Sequence, residues 1–166
     1  MAKLFLKHSE DPLHMPRHQI GAHLEFDQST VCLASSIGDA SMIQCLLGCS
    51  VHPNTRNEHE ASPLHLAASR GHDLAIKVLL SEPGIDVNAR DDIGTTALWH
   101  TSQNNHYHVA KRLLTGHEVE VNVIVESRYF RERTSLHHGV RHGNKRLIHL
   151  LYNKKALTPI SPTEAA

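Results

Sequence analysis

Residues 62–91, SPLHLAASRGHDLAIKVLLSEPGIDVNARD, place apolar side chains at helical spacing in two short runs. The first run follows Ser62, which can cap the free amides of a first helical turn, and Pro63 fits the first helical position. Gly71 separates the runs and suits a left-handed residue that ends a helix. The second run contains Leu74, Ile76, Leu79 and Leu80. We therefore predict a helix–turn–helix unit, followed by the extended stretch DVNARDDIG.

The same order of positions recurs along the chain. When the copies are aligned, Ser62 falls on Thr96 and Thr96 falls on Thr134, and towards the N-terminus Gly71 falls on Gly38. We predict four repeats over residues 29–61, 62–95, 96–133 and 134–157, and a flexible tail over 158–166. Because neither helix of a unit can bury its apolar face alone, the units must stack, and the predicted fold is an all-α solenoid.

The second repeat resembles the ankyrin repeat family. Its SPLHLAASRGH and DVNA segments nearly reproduce the family patterns T-P-L-H-x-A-A-x-x-G-H and D-V-N-A, whereas the third repeat has Asn105 in place of the glycine. The resemblance covers residues 29–157. It implies a solenoid of about four helix–turn–helix repeats with short hairpin loops, and a non-catalytic scaffold or adaptor that binds a partner protein through its concave face and hairpin tips.

The resemblance also implies which positions contact a partner. In the second and third repeats these are Glu58, His59, Ser69, Arg70, Asp92, Ile93, Gln103 and Asn104. In the fourth repeat they are Arg141 and His142, together with Tyr129, Phe130 and Arg131 from a longer connecting loop. Tyr with Arg is a usual composition of an interface anchor. A loop that packs its aromatic side chains against the stack is the alternative, and both stay open.

Residues 1–28 fit the back half of another repeat and a long connection. Leu4, Phe5 and Leu6 match the apolar end of a second helix, and Asp11 matches the Asp of D-V-N. The first helix of that repeat is absent, and the connection that follows is longer than usual. The chain is then either a piece of a longer array or an array with an abbreviated N-terminal cap, because terminal repeats are atypical.

Composition limits the class of protein. Lys plus Arg and Asp plus Glu balance at 17 each, so the overall charge does not favour nucleic acid or a membrane surface as the partner. No apolar run approaches the ~20 residues of a membrane span. With only three cysteines we expect a reducing compartment, the cytoplasm or the nucleus. Cys45 and Cys49 lie one helical turn apart, which favours small buried residues over a redox pair.

Charge is uneven along the chain. Residues 123–157 contain eight Lys or Arg against two Glu. Such polarity could steer an acidic partner, or a nucleic acid, to the C-terminal end. The alternative is a polar cap that keeps the end of a solenoid soluble, which is the stronger interpretation.

Sixteen histidines raise the question of a metal site. His138 and His142 have ligand spacing, as do His14 and His18, but third and fourth ligands are not evident. The family resemblance instead assigns His65 and His137 to backbone hydrogen bonds between repeats. Buried neutral imidazoles would make stability fall below pH ~6.5. We predict no metal, no cofactor and no catalytic residues.

Two further interpretations remain. Short ankyrin proteins that inhibit Rel-type transcription factors by sequestration offer an alternative function, although the basic last repeat fits their basic partner poorly. Asn88 and Asn122 resemble asparagines that are hydroxylated in ankyrin proteins. The alternative is that each asparagine bridges the hairpin with its own side chain.

Overall fold

The computed structural model describes residues 29–115, 118–125 and 134–157. The predicted half-repeat at 1–28, the tail at 158–166 and the loop residues Tyr129, Phe130 and Arg131 lie outside the described residues.

Eight helices form four consecutive pairs in the described ranges. The first helices of the pairs are α1 (Ser29–Ile37), α3 (Pro63–Arg70), α5 (Ala97–Gln103) and α7 (Ser135–Arg141). The second helices are α2 (Ala40–Gly48), α4 (Asp73–Leu80), α6 (Tyr107–Leu114) and α8 (Lys145–Leu157). First helices pack on first helices and second on second. This confirms the predicted all-α solenoid. None of these helices is both long and apolar enough to cross a membrane.

The local signals that predicted the second repeat act as expected. Helix α3 begins with Pro63 after the cap residue Ser62, whose backbone N–H donates to Nδ1 of His65 at 3.1 Å. Nε2 of the same imidazole lies 3.1 Å from the carbonyl oxygen of Thr95, the last residue before the third repeat. His65 therefore caps the start of its own helix and ties it to the chain that enters the next repeat. Gly71 then ends α3 with φ +75°, in the left-handed region.

The core lies between the layers of first and second helices. Ile43, Leu64, Ile76 and Leu98 are almost completely buried there, and small residues such as Ala67 let successive first helices approach closely. Full burial of one such large aliphatic side chain contributes about 1.5–3 kcal/mol. Stacking thus supplies the stability that a single pair of short helices lacks.

Leu74 and Cys45 are exposed and Cys49 is half-buried, although apolar residues at helical spacing favour the core. Leu74 is 67% exposed because it lies two residues from Ile76, about 200° around a helix, and so faces away from the core. Cys45 is exposed and Cys49 half-buried, since the core-facing side of α2 carries Ile43, Leu46 and Leu47 instead. The prediction of buried residues at Cys45 and Cys49 was wrong.

Candidate partner-binding surface

Imidazoles join the second and third repeats to the first helix of the repeat before each of them. Nε2 of His72 lies 3.0 Å from the carbonyl oxygen of Ser36, and Nε2 of His106 lies 3.2 Å from that of Ser69. Both histidines stand at the start of a second helix. Because a carbonyl oxygen only accepts, each ring carries its proton on Nε2. These bonds fix the spacing of the first helices.

The residue that ends the first helix lies against the imidazole of the next repeat and must leave space for it. A Cβ on Gly71 would lie 2.7–2.9 Å from ring atoms of His106, which is closer than real contacts allow. In the third repeat Asn105 takes the left-handed position at φ +60°, and Asn144 replaces the histidine. Nδ2 of Asn144 donates to Oδ1 of Asn105 at 2.6 Å. A pair of asparagines therefore replaces the glycine–histidine pair at this junction.

Six of the predicted contact residues form one row at the C-terminal ends of the first helices, which we call the first-helix row. They are Ser69 and Arg70 at α3, Gln103 and Asn104 at α5, and Arg141 and His142 at α7. All six are exposed or half-buried. Nδ2 of Asn104 donates to the carbonyl oxygen of Ser69 at 2.9 Å, and Nε2 of His142 lies 2.7 Å from that of Gln103. The structure thus brings successive members of the row together.

Stack contacts use some of these side chains and leave others available. Asn104 and His142 bond to the neighbouring repeat, and Oγ of Ser69 donates to the carbonyl oxygen of Leu66 at 3.0 Å. Arg70 and Arg141 are exposed. The guanidinium groups of the row are therefore its cationic donors for a partner, because each offers five N–H groups in a planar fork.

The four predicted hairpin-tip residues also lie side by side. The N–H of Asp92 donates to the carbonyl oxygen of His59 at 3.2 Å, and Nδ1 of His59 lies 3.8 Å from Oδ2 of Asp92. Glu58 and Ile93 are exposed next to them. Oδ1 of Asp91 shapes the second tip by accepting from the N–H groups of Ile93 and Thr95. The tips form a continuous edge with two carboxylates.

Asparagine side chains connect the hairpin of one repeat to that of the next. Nδ2 of Asn88 donates to the carbonyl oxygen of Glu118 at 2.8 Å, and its Oδ1 accepts from the N–H of Glu120 at 2.9 Å. Asn54 makes the same two bonds, to Gly84 and Asp86. The asparagine therefore bridges hairpins with its own side chain, as the structural alternative predicts, and the bridge leads to the following repeat.

A polar network lies beneath the tips. Nε2 of His100 lies 3.0 Å from Oδ2 of Asp91, and the hydroxyl of Thr95 donates to the same carboxylate. Burial alone would raise the pKa of Asp91, but hydrogen bonds from His100 and Thr95 outweigh it and lower the pKa to about 2. Burial has the opposite effect on a histidine: it lowers the pKa of His65, and the nearby His100 lowers it further.

The outer side of the stack has a separate open groove between α4 and α6. Its volume is about 790 Å³, and its charged lining residues include Asp73, Lys77, Lys111 and Arg112. Arg112 donates two hydrogen bonds to the carboxylate of Asp73, at 2.7 and 2.6 Å. These bonds lower the pKa of Asp73 and raise that of Arg112. The groove contains none of the predicted contact residues, so it is a suitable control surface for binding experiments.

A family model of ankyrin repeats in three copies matches residues 1–91 and 30–125. The chain belongs to the ankyrin repeat family. Ankyrin repeats are a non-catalytic fold for protein–protein interaction.

Segments of several curated proteins are similar to this chain. The probable E3 ubiquitin-protein ligase XBOS33 of Oryza sativa subsp. japonica is 42% identical over 90 residues, which cover 54% of this chain and 16% of the relative. E3 ubiquitin-protein ligase XBAT33 of Arabidopsis thaliana is 39% identical over 90 residues, covering 54% and 17%. Rabankyrin-5 of Homo sapiens is 35% identical over 98 residues, covering 55% and 8%. The chain thus matches at most about one sixth of the length of these relatives.

The first repeat contributes two more residues to the first-helix row. They were not among the contact residues predicted from the sequence. Ser36 and Ile37 of α1 are equivalent to Ser69 and Arg70 in the alignment that places Gly38 on Gly71. Ile37 is 64% exposed, so the row ends in an apolar side chain on this side. The repeat alignment was the signal that could have identified both residues.

The histidine pair with metal-ligand spacing does not face a common site. The imidazole of His138 is buried against the indole of Trp99, with ring centroids 4.7 Å apart, whereas His142 is exposed and bonds to Gln103. Across the described ranges no three His, Cys, Asp or Glu residues are grouped as metal ligands. His14 and His18 lie outside the described residues.

Proposed function

We propose that this chain is a scaffold or adaptor module that binds a partner protein through the first-helix row and the hairpin tips. The observation that carries the proposal is the pair of hydrogen bonds by which His72 and His106 hold the backbone from which the row projects. A surface that is ordered before binding loses little conformational entropy in the complex. We further propose that the module acts in the cytoplasm or the nucleus.

The charges of the surface indicate the chemistry of the partner. Arg70 and Arg141 give the row a cationic character, and Glu58 and Asp92 give the tips an anionic one. A partner that presents carboxylates to the row and a cation to the tips would complement both.

Site-specific photocrosslinking tests this function. A photoreactive phenylalanine is placed at Arg70 or Gln103 in the row, and at Lys77 or Lys111 in the outer groove as matched controls. After irradiation in an extract of cells that express the chain, we expect one partner to be captured at least fivefold more from the row than from the groove. Equal capture at both surfaces, or capture from the groove alone, would contradict the proposal.

A narrower role is recruitment of substrates to a ubiquitin ligase. It is supported by the 42% and 39% identity to relatives that are named E3 ubiquitin-protein ligases. If the role applies, the partner captured from the row carries fewer ubiquitin-remnant peptides in cells with the double variant Arg70→Glu/Arg141→Glu than in wild-type cells. Unchanged ubiquitination and turnover of that partner would remove this role and leave the binding function in place.

A further inference from the structure

The last repeat exposes apolar side chains at positions that earlier repeats bury. Val140 of α7 is 62% exposed, whereas its equivalents Ser35, Ala68 and Ser102 are 0% exposed. Tyr152 of α8 is 63% exposed, although its equivalents Leu47 and Leu114 are buried and Leu80 is half-buried. The next repeat covers these positions in the first three repeats, which explains their burial there.

Two neighbouring positions follow the same trend. Ile148 is half-buried, while its equivalents Ile76 and Ala110 are fully buried. Leu136 is half-buried, while its equivalent Leu98 is fully buried. We call the surface formed by Leu136, Val140, Ile148 and Tyr152 the C-terminal end face. The apolar character of this face does not match the polar surface that caps a solenoid.

The side chains of this face differ from those that accept an ordinary repeat. The three equivalents of Val140 are serine or alanine, which let the following first helix approach closely. A branched valine and a tyrosine hold a neighbouring helix farther away. The face therefore suits a helix that does not continue the stack at its regular spacing.

The charge of the last repeat defines the chemistry of that helix. Residues 134–157 contain five Lys or Arg and no Asp or Glu. Arg141, Lys145 and Arg146 are exposed, and Nζ of Lys154 donates to the carbonyl oxygen of Leu114 at 3.1 Å. An apolar face on helices that carry only cations is complementary to an apolar stripe flanked by carboxylates.

We propose that the C-terminal end face binds an acidic amphipathic helix of a partner protein. The proposal deepens the binding function above, because it adds a second contact surface that adjoins the first-helix row at Arg141. Val140 and Tyr152 supply the exposed apolar contact, and Arg141, Lys145 and Arg146 attract the carboxylates. The helix pair of a following repeat binds the equivalent faces of the first three repeats, which is why the occupant is helical.

The probe for this test is a fluorescein-labelled helical peptide of about five turns, with leucine along one stripe and glutamate elsewhere. A second peptide replaces glutamate by lysine. Anisotropy titration with the full chain should show binding of the acidic peptide only, weakened at least threefold in 0.5 M NaCl. Val140→Ser/Tyr152→Ser should weaken it at least tenfold, whereas Leu74→Ser, at an exposed leucine outside the end face, should change it less than twofold.

Three results would overturn the inference. They are equal binding of both peptides, no binding of the acidic peptide, and unchanged binding by Val140→Ser/Tyr152→Ser. Sedimentation velocity adds a fourth, a dimer of the wild-type chain that Val140→Ser/Tyr152→Ser dissociates, because a second copy would then cover the face. If these tests fail while photocrosslinks still form at Arg70, the end-face inference falls and the binding function stands.

Discussion

Replacing Gly71 with alanine is expected to destabilise the stack through two separable effects. The first is the backbone conformation, because φ of +75° is left-handed and costs an alanine about 1 kcal/mol. The second is contact with the next repeat, since the new Cβ would lie 2.7–2.9 Å from ring atoms of His106. The imidazole must then move away from the carbonyl oxygen of Ser69, and loss of a hydrogen bond costs about 1 kcal/mol. The sum is about 2 kcal/mol.

Gly84 provides the matched control. Its φ is +77°, but no heavy atom lies within 4 Å of a Cβ built there. Gly84→Ala should therefore show only the backbone effect, about 1 kcal/mol. The difference between the two variants isolates the contact with His106.

Urea unfolding followed by circular dichroism at 222 nm measures both changes in unfolding free energy. His106→Ala should cost less in the Gly71→Ala background than in the wild type, because the hydrogen bond between His106 and Ser69 is already lost there. Equal losses for Gly71→Ala and Gly84→Ala, or additive effects of Gly71→Ala and His106→Ala, would refute the reasoning.

Three other predictions concern the stack. The unfolding free energy should fall as the pH drops below ~6.5, because the pKa of buried His65 is lowered and the unfolded state therefore binds more protons. A urea midpoint that stays constant between pH 7.5 and 5.5 would contradict this. Asn88→Ala should lower the unfolding free energy by about 1–2 kcal/mol, while Asn88→Asp should lose only the bond to Glu118. Equal losses of unfolding free energy for the two variants in urea would argue against the bridge. Arg112→Met should lower the unfolding free energy by at most about 1 kcal/mol, and by less in 1 M NaCl, because the ion pair with Asp73 is half-exposed. A larger decrease that does not depend on salt would show that packing of Arg112 contributes more than the ion pair.

Local signals predicted the helix pairs because those signals act within one repeat. Ser62, Pro63 and Gly71 start and end α3 through their own backbone chemistry, which depends little on the surroundings. The regular period of the repeat then placed the same elements in the looser copies. It also predicted the exposure of Arg70 and Arg141, since equivalent positions of stacked repeats share an environment.

Contacts between repeats were harder to predict because they depend on two residues far apart in sequence. Asn105 departs from the family glycine, and its match with Asn144 in the next repeat becomes apparent only when the helices are stacked. Leu74 has the composition of a core residue but the wrong angular position. Val140 and Tyr152 look like core residues in sequence, and their exposure follows from their place in the last repeat.

The central claim is that the helix pairs form one continuous stack, because the first-helix row depends on fixed spacing between repeats. Trp99, the only tryptophan of the chain, is fully buried in the third repeat and reports on that repeat by its fluorescence. Circular dichroism at 222 nm reports on all the helices together. The most direct measurement is urea unfolding recorded with both probes. We expect one transition with the same midpoint and slope for both probes. A loss of helix at lower urea than the change in Trp99 fluorescence would contradict a single continuous stack.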